Sequence, residues 1–156
     1  MKPCSNLTED YLKWPKRYMK IAVDVSQWST CLSRKVGCVI TKNNRIVATG
    51  YNGAPANVKS CKELGRCIRE TSESGTNLDM CMATHAEQNA ITQAARLGIS
   101  IEGGDAYITT KPCTTCIKLL INSGISRVFY SEEYNNPLTD SIAKEAGILL
   151  IKLESF

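Results

Sequence analysis

Two short motifs contain residue types that bind zinc, together with a carboxylate that could act beside it. His85-Ala86-Glu87 and Cys113-Thr114-Thr115-Cys116 each stand where a helix is predicted to begin. The two cysteines lie three residues apart, so their sulfurs share one helix face and can bind a single ion. A helix N-terminus lowers the pKa of a thiol and so favours the thiolate ligand. With His85 as the third ligand, a tetrahedral zinc keeps one position for water, as catalytic zinc sites do.

Glu87 stands two residues after His85, close enough to reach that water without binding the metal. Zinc lowers the pKa of a bound water to about 7. Glu87 would accept its proton, pass it to a pyrimidine N3 and later protonate the departing amine. Each motif alone has another interpretation, since Cys-x-x-Cys can be structural or redox-active and a histidine can cap a helix. In this order, His-x-Glu followed by Pro-Cys-x-x-Cys is the signature of zinc-dependent deaminases.

Length and composition favour one globular domain, and its net charge suits an anionic ligand without identifying one. The chain has 156 residues, a formal net charge of +4 and eight cysteines. The charge is spread along the chain, without the concentrated basic stripe of a nucleic-acid binder. No apolar run reaches the roughly 20 residues of a membrane span and the N-terminus does not resemble a signal peptide, so we expect a cytoplasmic protein. In that compartment, cysteines favour metal binding over disulfides.

The periodicity of apolar residues predicts an α/β fold that positions the two motifs. A first helix over 14–28, with Pro15 in its first turn, precedes a hairpin of strands 36–41 and 46–49 joined by Asn43-Asn44. After a polar segment, helices and strands alternate: helix 85–97, strand 105–109, helix 114–122, strand 126–130, helix 139–146 and strand 148–153. This order predicts a five-stranded mixed sheet that opens with an antiparallel hairpin and carries helices on both faces.

The chain resembles the cytidine and deoxycytidylate deaminase family over nearly its whole length, and within it the deaminases of dCMP. The resemblance lies in Tyr11-Leu12 with Trp14-Pro15 and Met19, in segments 36–40 and 50–53, and in the His85 and Pro112–Cys116 motifs. It implies the three-layer α/β/α fold of that family and hydrolysis of dCMP to dUMP for thymidylate synthesis. Activation by dCTP and inhibition by dTTP, with Mg²⁺ accompanying the triphosphate, and a homohexamer follow from the same resemblance.

The resemblance also implies roles for residues outside the zinc motifs. Asn52 would bind the deoxyribose hydroxyl and Tyr134 would stack on or hydrogen-bond the substrate. Gly50, Tyr51, Gly53 and Arg96 would belong to an allosteric nucleotide site. On physical grounds alone, Asn52-Gly53 is equally an ordinary turn and Arg96 a surface residue. Gln88 departs from the family, whose members often have an apolar residue there.

A phosphate on the substrate needs donors, and Ser33-Arg34-Lys35 offers a hydroxyl and two cations just before the first strand. The alternative is a solvated surface edge.

The polar segment 51–84 is too long to be an unsupported loop in a compact domain. It is interpreted as an insert stabilised by a second, structural zinc bound by Cys31, Cys61, Cys67 and Cys81. Cys4 or Cys38 could replace Cys31, and free thiols in a loop are the alternative.

Two other functions use the same zinc motif. A tRNA or polynucleotide deaminase would share the catalytic centre, but predicts a basic groove. A non-enzymatic zinc module would leave Glu87 without a role.

Overall fold

The computed structural model describes residues 9–73 and 76–156, which form five helices and five strands besides a short 3₁₀ turn. The helices are α1 (Glu9–Ser26), α2 (Cys61–Leu64), α3 (Ala86–Leu97), α4 (Thr114–Asn122) and α5 (Pro137–Ala146). The strands are β1 (Gly37–Lys42), β2 (Arg45–Tyr51), β3 (Asp105–Thr110), β4 (Arg127–Glu132) and β5 (Leu149–Lys152). None of the helices within these two ranges is both long and apolar enough to cross a bilayer.

The strands form a single sheet in the order β2-β1-β3-β4-β5. Strand β1 is antiparallel to both β2 and β3, whereas β3, β4 and β5 run parallel to one another. The parallel pairs are joined through α4 and α5, as parallel connections require a crossover. The predicted mixed sheet with an opening antiparallel hairpin is therefore confirmed.

Each face of the sheet is covered by helices. On one face α1 buries Tyr18, Met19 and Ala22 against Val39 and Phe129. On the other face, α3, α4 and α5 pack on strand residues through the buried side chains Ala90, Ile117, Leu120 and Ala143. The three-layer α/β/α arrangement is thus confirmed.

Strand direction brings four chain segments together at one end of the strands. Strands β3 and β4 end there, at Thr110 and Glu132. Because β1 is antiparallel to β3, β1 begins at this same end of the sheet. Strand β2 is antiparallel to β1 and therefore ends there. Residues just before β1 and just after β2, β3 and β4 therefore lie close together, although they are far apart in sequence.

The first helix starts earlier than the sequence suggests. It is already helical from Glu9, so Pro15 lies inside it rather than in its first turn. Leu12 extends the apolar stripe by one turn and packs against the α1 core, which offsets the hydrogen bond that Pro15 cannot donate. The helix ends at Ser26, and Trp28, the last residue of the predicted helix, lies beyond it and is exposed.

In α3, the apolar residues Ala95 and Leu97 face solvent.

The hairpin turn is formed as predicted, whereas the segment after β2 is not a turn. Asn43 and Asn44 both have positive φ, 51° and 57°, as a two-residue hairpin turn requires. Gly50 and Tyr51 instead belong to strand β2. Gly53 and Thr84 exchange backbone hydrogen bonds of 3.2 and 2.8 Å, which join the two ends of the segment between them. We call residues 54–83 the insert.

Strand β2 is one edge of the sheet, and side chains of α3 bond two of its outward backbone groups. The Thr49 N–H donates to Gln93 Oε1 at 2.8 Å, and Asn89 Nδ2 donates to the Tyr51 carbonyl at 2.7 Å. The helix is thereby fixed to the edge strand by its polar side as well as by its core residues.

Candidate active site

Both predicted metal motifs lie at helix N-termini. His85 is the residue before α3, and its N–H donates to Gln88 Oε1 at 2.9 Å. Gln88, the departure from the family pattern, thus caps the helix that begins at the histidine. Cys113 is the N-cap of α4, and Cys116 lies in its first turn. Two sets of unpaired helical N–H groups therefore point towards the same site, where they favour negatively charged ligands.

The three side chains are placed as a tetrahedral zinc requires. His85 Nδ1 lies 3.5 Å from Cys113 Sγ and 3.4 Å from Cys116 Sγ. Zinc bonds of about 2.3 Å to sulfur and about 2.0 Å to nitrogen at a tetrahedral angle place those atoms about 3.5 Å apart. Among residues 9–73 and 76–156, this is the one group of three potential ligand atoms lying within 4.8 Å of one another. The residues present therefore fit a zinc ion with three protein ligands.

One of the two thiols, that of Cys113, is prepared to give up its proton. The hydrogen bond from Cys116, helped by His85 and by the Cys116 N–H, lowers the pKa of the Cys113 thiol to about 4. The same hydrogen bond and burial raise the pKa of Cys116. The pair thus presents one thiolate at neutral pH, and a cation arriving between them favours loss of the second proton.

Glu87 is buried beside the three ligands, with only 4% of its surface exposed. Burial raises its pKa to about 6, although its own backbone N–H and the nearby His85 act in the opposite direction. A carboxyl with that pKa can both accept and release a proton near neutral pH. Its position and its pKa therefore suit a general acid–base.

A cavity of about 580 Å³ opens over these residues. It is lined by His85, Glu87 and Cys113 and, further out, by Asn52 and Tyr134. This volume lies within the usual range for small-molecule sites. Asn52 and Tyr134, which were predicted to contact the substrate, therefore lie in the same cavity as the catalytic motifs.

The polar residues predicted around the substrate divide into two groups. Ser33 and Arg34 line the cavity, whereas Lys35 does not. Asn52 is buried, and its side chain bonds the chain that precedes β1: Oδ1 accepts from the Val36 N–H at 2.8 Å and Nδ2 donates to the Arg34 carbonyl at 2.7 Å. Asn52 thus holds Arg34 at the cavity in addition to lining it.

Three further cations line the cavity and were missed by sequence reasoning: Arg66, Arg69 and Lys111. Lys111 is only 7% exposed and contacts Glu133 at 2.9 Å and Asp140 at 2.8 Å. Burial disfavours its charge, but the hydrogen bonds to both carboxylates raise the pKa of Lys111 overall. Lys111 directly precedes the Pro112–Cys116 motif, and this position could have indicated that it lies near the site. The two arginines flank Cys67, yet only the fold of the insert brings them to this site.

The residues predicted to bind an effector lie elsewhere. Gly50, Tyr51, Gly53 and Arg96 are not among the cavity-lining residues. Gly50 packs under α3, where an added Cβ would lie 2.1 Å from the Ala86 carbonyl oxygen. Tyr51 packs edge-on against Trp28, and Arg96 is exposed in the last turn of α3.

The four cysteines predicted to hold a second metal are near one another without forming a closed set. Cys61 is buried, and its pKa is raised by burial first and then by the thiols of Cys67, Cys31 and Cys81. Cys67 and Cys81 also line the cavity. Cys38, an alternative ligand, is fully buried in the core on β1, while Cys4 lies outside the described residues.

Comparisons with known proteins agree with this geometry. Residues 12–132 match the family model of the cytidine and deoxycytidylate deaminase zinc-binding region. The deoxycytidylate deaminase of enterobacteria phage T2 is 37% identical over 163 residues, covering 83% of this chain and 87% of the phage protein. The deoxycytidylate deaminase of Saccharomyces cerevisiae is 38% identical over 136 residues, and the chain spans only 43% of that protein's length.

A solved structure extends the match to the whole fold. The dCMP deaminase of cyanophage S-TIM5, determined in complex with dCMP and dUMP, superposes with a TM-score of 0.77 at 30% identity and covers 98% of this chain and 99% of its own. The region matched by the family model, residues 12–132, contains both zinc motifs and Glu87. From its sequence, its three-layer fold and its cluster of His85, Cys113 and Cys116, the chain belongs to the cytidine and deoxycytidylate deaminase family.

Proposed function

We propose that the chain is a zinc-dependent deaminase that converts dCMP and water into dUMP and ammonia, and so supplies dUMP for thymidylate synthesis. The observation that carries this is the placement of His85 Nδ1 at 3.4 and 3.5 Å from two cysteine sulfurs, beside a buried Glu87. The names of the phage and yeast relatives and the substrate of the cyanophage enzyme support dCMP as the nucleotide.

Glu87 performs the proton transfers in this proposal. Zinc held by His85, Cys113 and Cys116 supplies a Lewis acid that makes the attacking water more acidic. Glu87 accepts a proton from that water and donates it to N3 of the cytosine ring as the water oxygen bonds to C4. The second proton of the water goes through Glu87 to the exocyclic nitrogen, which leaves as ammonia when the C4–N4 bond breaks. Burial raises the pKa of Glu87, which favours the protonated form that donates to N3 and to the exocyclic nitrogen.

The remaining cavity residues bind the rest of the nucleotide. Asn52 would bind the deoxyribose hydroxyl, Ser33 and Arg34 would bind the phosphate, and Tyr134 would stack on or hydrogen-bond the substrate. All four line the cavity. Lys35, outside the lining, would contribute only through its charge.

The proposal includes regulation by triphosphates in a homohexamer, with dCTP as activator, dTTP as inhibitor and Mg²⁺ bound to the triphosphate. Its site would comprise Gly50, Tyr51, Gly53 and Arg96. Gly50 contacts the first turn of α3, and Arg96 lies in its last turn. An effector bound there would act on the helix that carries Glu87.

A second zinc would be structural and would be bound by Cys31, Cys61, Cys67 and Cys81. The mutual effects of these thiols on the pKa of Cys61 support their nearness. Four zinc–sulfur bonds would draw the sulfurs to about 3.8 Å from one another, closer than the whole set lies here. Binding therefore requires the four thiols to move closer together.

Ammonia release tests the activity directly. The zinc-loaded chain is assayed with dCMP, deoxycytidine, CMP and an RNA that contains cytosine and adenosine, and dCMP should give the highest kcat/KM. Glu87→Gln should lose about 100- to 10,000-fold in kcat, the usual contribution of general acid–base catalysis, while its zinc content stays unchanged. Glu70→Gln, which removes an exposed carboxylate from the same cavity, is the control. Near-normal turnover by Glu87→Gln would exclude the proton-transfer role, and preference for the RNA would exclude the mononucleotide.

A further inference from the structure

The insert forms part of the catalytic cavity. Arg66, Cys67, Arg69 and Glu70 all line the cavity that contains His85 and Glu87. Gly65 ends α2 with φ at 69°, and the segment that carries both arginines follows at once. The insert therefore contributes side chains to the site.

Arg69 is held in a fixed orientation by a neutral partner. Its Nε and Nη2 donate to the Thr76 carbonyl at 3.0 and 2.7 Å, and its side chain is half-buried. A carbonyl oxygen orients the guanidinium without neutralising its charge. Within the part of the chain that the structure describes, Thr76 is the one hydrogen-bond partner of this side chain, so the Nη1 group and the second Nη2 hydrogen can donate to an anion.

Arg66 also keeps its charge uncompensated. The ion pairs found across residues 9–73 and 76–156 involve Lys111, Arg127 and Lys152, and none involves Arg66 or Arg69. Arg66 is exposed at the cavity, so it can move to a ligand without breaking a contact with a carboxylate.

The charges around the cavity give an excess of cations. Lys111 is already paired with Glu133 and Asp140. Arg34, Arg66 and Arg69 remain, against the exposed Glu70 and the buried Glu87. Guanidinium groups bind phosphate through two parallel hydrogen bonds, so this arrangement suits a phosphate better than a neutral ligand.

We propose that Arg66 and Arg69 of the insert join Ser33 and Arg34 in binding the 5′-phosphate of the substrate, and that the two insert arginines set the preference for a nucleoside monophosphate over the nucleoside. This inference rests on the proposed deaminase function, since it names the residues that choose among cytosine substrates. The same chemistry could recognise the phosphodiester of a polynucleotide, but the cavity volume of about 580 Å³ favours a mononucleotide.

The test compares substrates with and without the phosphate on the zinc-loaded full chain. Arg66→Gln, Arg69→Gln and the double variant are assayed with dCMP, deoxycytidine and a short single-stranded DNA containing cytosine. Because each substitution removes charged hydrogen bonds to the phosphate, it should lower the ratio of kcat/KM for dCMP to that for deoxycytidine by about 10-fold or more. The loss should lie mainly in KM. Arg69→Lys, which keeps the charge but not the planar fork, should recover part of the ratio.

Lys62→Gln is the matched control, because Lys62 is an exposed cation of the insert that does not line the cavity. It should leave the ratio unchanged. Equal losses for dCMP and deoxycytidine in the arginine variants would overturn the proposal, because a general disturbance of the insert predicts that result. Faster turnover of the DNA than of dCMP, lost in the same variants, would overturn the choice of a monophosphate.

Binding of dUMP and of deoxyuridine, measured by titration calorimetry, separates this inference from the catalytic one. The double variant should bind dUMP at least 10-fold more weakly than the unmodified chain and deoxyuridine equally well. If the unmodified chain does not deaminate dCMP, the proposed function fails, yet this difference in binding still decides the role of the arginines. Equal dUMP affinities would overturn it.

Discussion

Burial of Glu87 beside the zinc ligands lowers the stability of the folded state, because a buried carboxylate loses its hydration. The folded chain raises its pKa from the ordinary 4.5 to about 6, chiefly through burial. A carboxyl whose pKa is raised on folding destabilises the folded state once the pH exceeds the unfolded value. The penalty grows between pH 4.5 and 6 and is then constant. It is absent below pH 4.5, where the group is protonated in both states.

Glu87→Gln should therefore stabilise the metal-free protein at neutral pH. The shift corresponds to about 2 kcal/mol of free energy of unfolding at pH 7, and to little at pH 4.5. Urea unfolding of chelator-treated protein at the two pH values measures the difference, with Glu70→Gln as an exposed control. A variant no more stable than the parent at pH 7 would contradict the raised pKa of this carboxyl in the folded state.

For single residues, the sequence predicts a role in the site where the position of the side chain is set by neighbours along the chain. Cys113 and Cys116 are placed by helical spacing, and His85 and Glu87 by the start of one helix, so their motifs were sufficient. Arg66 and Arg69 could not be assigned in this way. Their position depends on the path of the insert, which has no periodicity from which a direction could be read.

At the scale of secondary structure, the site depends on how closely β2 approaches α3. Gly50 makes that approach possible, because a Cβ there would lie 2.1 Å from the Ala86 carbonyl oxygen and 2.5 Å from the Ala90 nitrogen. Both neighbours are backbone atoms, so no side-chain rotation can relieve the contact. Any larger residue must push away the helix that begins at His85.

Gly50→Ala should therefore destabilise the fold by about 3 kcal/mol and weaken zinc binding, since the start of α3 would move relative to α4. Denaturant unfolding and competition with a zinc chelator measure the two effects. Gly53→Ala is the matched control, because the atoms nearest to its Cβ would all belong to side chains, the closest being the Thr30 hydroxyl oxygen at 2.9 Å. A similar zinc affinity in Gly50→Ala and the parent would show that the close packing does not position the ligands.

The elements themselves were predictable where one face is buried continuously. The alternation of helices and strands after residue 84 follows from apolar periodicity, and the hairpin turn follows from Asn43-Asn44. The start of α1 was not predictable in the same way. A proline normally marks a first turn, but here the packing of Leu12 against the sheet overrides that preference.

At the scale of the whole molecule, the insert is the part whose stability is hardest to explain from its own side chains. Its ends are joined by Gly53 and Thr84, and α2 has a capping box in which Ser60 and Glu63 bond each other's backbone N–H groups. Few of its apolar side chains are buried, and Val58, Leu64 and Ile68 are exposed. A structural metal would supply the missing stabilisation.

Metal analysis of the purified chain should give about two zinc ions per chain, falling to about one when Cys61 and Cys67 are both replaced by Ser. Cys38→Ala is the control, since this buried core thiol belongs to neither set, and it should leave the metal content unchanged. One zinc in the unmodified chain would show that the insert is ordered without a metal.

The polar contacts between α3 and β2 have a consequence for self-association. An open strand edge normally offers its N–H and C=O groups as a template on which another chain can add a strand, the first step towards amyloid-like stacking. Here Gln93 and Asn89 already bond the Thr49 N–H and the Tyr51 carbonyl, and β5 at the opposite edge has only four residues. Another chain therefore cannot pair with β2 through these two groups, and contacts at this end of the strand would be made through side chains such as Tyr51, which is exposed and packs against Trp28.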